Sequence, residues 1–92
     1  MGDAGLAHLR GHYKLVFLYL DRTKVTDAGL THVRALRGLQ ILRLNNTAVT
    51  DAGLEQLEAI PGLHTLVLTG TNVTDAGVLR LQRALPELKV VR

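Results

Sequence analysis

The sequence predicts an α/β chain of four stacked helix–strand units, wound right-handed, with a parallel sheet on one side and helices on the other. Three observations predict it. The segment Val25-Thr26-Asp27-Ala28-Gly29-Leu30 recurs as Val49-Thr50-Asp51-Ala52-Gly53-Leu54 and as Val73-Thr74-Asp75-Ala76-Gly77-Val78, with Asp3-Ala4-Gly5-Leu6 as the tail of a first copy. Asp3, Asp27, Asp51 and Asp75 are each 24 residues apart. Between these segments the leucines alternate as in a strand with one buried face, and then recur at three-residue steps as on one stripe of a helix.

The strands come from Leu15-x-x-Leu18-x-Leu20, Leu39-x-x-Leu42-x-Leu44 and Leu63-x-x-Leu66-x-Leu68, each followed by Thr-x-Val at Thr23, Thr47 and Thr71. A fourth, Leu88 to Arg92, closes the chain with charges at both flanks, a common way to blunt an edge. The helices come from the stripes Leu30, Val33, Leu36 and Leu54, Leu57, Ile60, which predict about three turns each. Strand, turn, helix and turn in 24 residues requires parallel strands joined by right-handed crossovers. A unit this short cannot bury its own apolar face, so neighbours stack. The whole chain reads as one domain, with repeats at approximately 1–24, 25–48, 49–72 and 73–92.

The corner before each helix has a reading at each position. Thr26, Thr50 and Thr74 stand where an N-cap hydroxyl belongs. The aspartate after each is favoured by the positive end of the helix dipole. Gly29, Gly53 and Gly77 cost about 1 kcal/mol each relative to Ala in a helix interior, which points to a close backbone approach between adjacent turns, where a Cβ would clash. In the first copy Gly2 replaces the threonine, so that helix should fray. His12, Tyr13 and Lys14 also depart from the pattern, as terminal repeats do. The last helix is longer by one residue: Asp51 to Pro61 is ten positions, Asp75 to Pro86 eleven.

These motifs resemble the leucine-rich-repeat pattern L-x-x-L-x-L-x-x-N-x-L, and most closely its bacterial T-x-V-T-D-A-G-L variety, similar in turn to the repeats found beside F-box domains. The resemblance covers essentially the whole chain. It implies a right-handed solenoid with the parallel sheet on the concave side and the helices on the convex side, binding a protein through its concave sheet face. One departure is that Thr23, Thr47 and Thr71 replace the usual Asn or Cys, so any ladder of side chains there is made by hydroxyls.

Composition narrows the function classes. The chain has 92 residues, no cysteine and a formal charge of +3, which argues against a disulfide framework, a thiolate metal site and the clustered basic footprint of a nucleic-acid binder. Only Phe17, Tyr13 and Tyr19 are aromatic, so the core is aliphatic. Neither a signal peptide nor a membrane span is read, and a cytoplasmic protein is expected.

The residues alternating with the buried leucines give the candidate binding face. A first column holds Phe17, Ile41, Thr65 and Val90, a second Tyr19, Arg43, Val67 and Arg92, and a third Asp21, Asn45 and Thr69. Phe17, Ile41, Val67 and Val90 are expected to merge into an apolar patch, with Tyr19 and Arg43 as anchors. The alternatives are ordinary strand composition on a solvated sheet, or a face that contacts a second copy of the chain. The self-assembling unit, or a segment of a longer repeat protein, is the second functional reading.

No catalytic, cofactor or metal site is read. Helices packed 8–10 Å apart hold the four aspartates too far apart for a cation needing oxygens at 2.3–2.6 Å. His8 and His32, at equivalent exposed helix positions, face the same objection. His12 is read as a terminal substitution and His64 as a polar residue entering the third strand. No histidine has a Ser or Cys partner implied by position, and Gly70-Thr71-Asn72 lacks the lysine of a phosphate loop. The basic cluster Arg80, Arg83, Lys89 and Arg92 reads as a solvated surface.

Overall fold

The computed structural model describes residues 2–9, 11–12 and 14–92. Tyr13, one of the atypical residues of the first repeat, lies outside the described residues. Helices and strands alternate: α1 (Asp3–Leu6), β1 (Phe17–Tyr19), α2 (Asp27–Val33), β2 (Ile41–Arg43), α3 (Asp51–Leu57), β3 (Thr65–Val67), α4 (Asp75–Ala84) and β4 (Lys89–Val91). The four strands form one parallel sheet in the order β1-β2-β3-β4. Each helix packs on the next along the chain.

The alternation in sequence becomes the alternation in burial. Leu18, Leu42 and Leu66 at the strand centres point into the core, while both neighbours of each lie on the opposite face. With Leu20, Leu44, Leu68 and the leucines and valines of the helices they form one continuous aliphatic core. The middle of the stack is sealed: Leu39, Leu42, Leu44, Val49, Leu57 and Ile60 are all 0% exposed.

The helices are shorter than their apolar stripes suggest. α2 and α3 have seven residues each, two turns, and only α4, with ten, reaches nearly three. The stripe continues because the chain tightens beyond the helix. Leu36 N–H donates to Val33, and Leu39 N–H to Leu36. A step of three residues is the period of such tight turns, whose side chains at i and i+3 align. α1, capped by Gly2 with no side-chain hydrogen bond, gives way after four residues to a 3-10 turn over Ala7–Leu9.

One turn position recurs with left-handed backbone: Arg22 (φ 57°), Asn46 (φ 57°) and Gly70 (φ 76°). Gly and Asn adopt that geometry readily, whereas Arg does so only at a cost of about 1–2 kcal/mol. Replacing Arg22 with Gly is expected to raise stability by about 1 kcal/mol, read as a higher urea midpoint at constant slope. A lower midpoint would contradict it.

The register corrects one expectation. β4 pairs Lys89 with Thr65, Val90 with Leu66 and Val91 with Val67. Val90 therefore lies in the core-facing row, half-buried, and Lys89 takes the outward place expected for Val90. The residue gained in α4 does not shift the strand. Leu63 and Thr65 are separated by His64, whereas Leu88 runs directly into Lys89, so the added residue is removed before β4 begins. Arg92 likewise leaves the outward column: its guanidinium contacts the Asp75 carboxylate and donates to the Val73 carbonyl at 2.7 Å.

Candidate functional site

The repeated corner holds the units in register. Asp3 Oδ1 accepts from the backbone N–H of Thr26 at 2.7 Å and Oδ2 from its hydroxyl at 2.5 Å. Asp27 does the same to Thr50, and Asp51 to Thr74. Asp3, Asp27 and Asp51 thus each clasp the cap threonine of the following unit, a bidentate charge-assisted contact, whereas Asp75 at the start of α4 pairs with Arg92. The threonines adopt the extended backbone of an N-cap, but their capping bonds are long, 3.3 Å at Thr26 and Thr74, and Thr50 makes none. Their hydroxyls serve mainly as donors to the preceding aspartate.

The glycines make room for this clasp. A Cβ at Gly53 would lie 2.9 Å from Leu30 Cδ1 and closer still to Asp27 Oδ1, and Gly29 stands in the same relation to Leu6 and Asp3. The clash expected for a Cβ is there, but the backbone approach expected from these glycines is not: the atoms that crowd them belong to side chains of the preceding unit.

Hydrogen bonds from the Thr74 hydroxyl, then from its backbone N–H, and the charge of Arg92 hold the Asp51 carboxyl below the ordinary carboxylate value. The ionised form is the one the folded state favours, so this contribution is present above the unfolded carboxylate pKa, roughly 4, and is lost as pH falls through the lower folded value. The urea midpoint should fall on acidification below that point, and Asp51→Asn should flatten part of that fall. An identical profile in the variant would contradict this.

A second ladder runs beside the sheet. Asp21 Oδ1 accepts from Asn45 N–H at 3.0 Å, and Asn45 Oδ1 from Thr69 N–H at 2.9 Å. Asp21 and Asn45, both candidates for the binding face, are therefore also structural. The hydroxyls of Thr23, Thr47 and Thr71 make no ladder; each donates at 2.8 Å to the carbonyl three residues back in its own turn.

The outward face of the sheet is where the remaining candidates meet. Phe17 pairs with Ile41 and Ile41 with Thr65; Tyr19 pairs with Arg43 and Arg43 with Val67. Phe17 and Tyr19 are 56% and 59% exposed, and Val91 adds an exposed apolar side chain at the far edge. The Arg43 guanidinium lies 4.8 Å from the Tyr19 ring centroid, within cation–π range. Its Nη2 is 2.5 Å from Asp21 Oδ2. Recurrence finds these columns, but not the three-residue constellation Tyr19–Arg43–Asp21, whose members align only once strands are paired.

Elsewhere, Arg80 pairs with Glu55 at 3.1 Å across the exposed helix surface. His8 is exposed as expected, but His32 is half-buried, its Nδ1 without a hydrogen-bond partner among the described residues. His64 is exposed just before β3, its Nδ1 3.0 Å from Thr65 Oγ1. No helix among the described residues is long and apolar enough to cross a membrane.

No protein-family model matches the chain, and no curated protein matches it.

Proposed function

We propose that the chain is a leucine-rich-repeat solenoid, its sheet on the concave side, acting as a non-catalytic module that binds a protein through that sheet. The observation that carries the reading is the pair Phe17 and Tyr19. Two of the chain's three aromatic residues stand largely exposed on one strand, beside Ile41 and an arginine already fixed in place. Aromatic and arginine side chains grouped on a rigid surface are what interface hot spots are made of. The ladder of Asp21 and Asn45 satisfies the Asn45 and Thr69 N–H groups beside this face.

A library of random twelve-residue peptides displayed on phage and selected on the protein tests the reading. Selected clones should bind Tyr19→Ala at least about tenfold more weakly, near 1.4 kcal/mol, and be indifferent to Glu58→Ala, an exposed change away from the sheet. Clones that bind the Tyr19 variant and the parent alike would overturn it.

A further inference from the structure

The charges on the sheet face are unequally engaged. Its single carboxylate, Asp21, has both oxygens in use, Oδ1 on the Asn45 N–H and Oδ2 on Arg43. Its two cations keep donors in reserve. A guanidinium has five N–H donors in a fixed fork, and among the described residues the one polar partner of Arg43 is Asp21. Lys89 is exposed and makes no ion pair among the described residues. Among the described residues the face therefore offers positive donors and no unengaged carboxylate.

Arg43 is also pre-organised. Tyr19 supports its plane and Asp21 holds one nitrogen, so less rotamer freedom remains to be lost on binding. Phe17 and Ile41 lie on the adjoining positions, with Val67 on the other flank. Lys89 is two strands from Ile41, about 10 Å away. So few cations, separated by apolar side chains, do not track a phosphate backbone.

Resting on the binding role of this face, we propose that its occupant is an acidic protein segment. One carboxylate docks on Arg43, and a neighbouring aliphatic or aromatic side chain lies over Phe17 and Ile41.

Two peptide libraries of equal length test this, one containing Asp and Glu, the other carrying Asn and Gln in their place. Both are selected on the parent chain, and clones are assigned to the face by loss of binding to Ile41→Asp. Face-dependent binders should come from the acidic library alone. In them, changing the key acid to its amide should weaken binding to the parent at least tenfold. The same change should alter binding by less than about twofold on the double variant Asp21→Asn/Arg43→Met, which removes both charges and keeps an acceptor for the Asn45 N–H. Face-dependent binders equally frequent in the acid-free library would overturn the acidic occupant and leave the binding face standing, as would acid effects undiminished on the double variant. If neither library yields a clone sensitive to Ile41→Asp, the binding face itself falls, and the acidic occupant with it.

Discussion

Gly53→Ala should destabilise the protein by about 1–3 kcal/mol, although alanine is favoured over glycine in a helix by about 1 kcal/mol. The added methyl meets Leu30 Cδ1 and the Asp27 carboxylate. Neither can withdraw freely, because Leu30 is fully buried and Asp27 is bonded to Thr50 at two points. Gly62 is the control. Its Cβ position is open and its backbone is not left-handed, so Gly62→Ala should fall within about 0.5 kcal/mol of the parent. Denaturant midpoints decide the matter; equal midpoints for the two variants would remove the steric role assigned to Gly53.

Asp27→Ala should cost about 2 kcal/mol. The carboxylate accepts two hydrogen bonds from Thr50, and bonds to a charged group contribute about 1.5–3 kcal/mol when dry. Partial exposure at this site reduces that figure. Asp27→Asn, which keeps an oxygen for the Thr50 N–H, should lose less. The two sites are coupled through one space, so Gly53→Ala should cost about 1 kcal/mol less once Asp27 is already alanine. Simple additivity would mean that the glycine and the carboxylate do not share that space.

Much of this arrangement is legible in the sequence, and the limits are physical. Leu18, Leu42 and Leu66 read as the buried row because a strand has a period of two. Phe17 with Ile41, and Tyr19 with Arg43, read as neighbours because the recurrence at 24 residues supplies the register. The same recurrence, carried one step further, puts Lys89 beside Thr65 as observed; the expectation of Val90 there counts the residue gained in the last helix but not its loss at the next turn, which leaves no mark except the missing counterpart of His64. It locates every aspartate at a helix start and suggests a role with the helix's own dipole. It does not show that each carboxylate reaches forward to the next threonine, because that depends on how adjacent helices stack. The pairing of Arg43 with Asp21 escapes it for another reason: Asp21 has no acidic counterpart in other units, and a feature that occurs once leaves no trace in a repeat.

The proposed binding role requires the sheet face to be open to a foreign protein rather than covered by a second copy of the chain. Molar mass by light scattering during size exclusion, over a wide range of concentration, measures this directly. The monomer mass, 10.0 kDa, is expected throughout the range, with no change for Ile41→Asp. A concentration-independent dimer or larger species that Ile41→Asp returns to the monomer would contradict it, since the residues assigned to a partner would then be occupied by the chain itself.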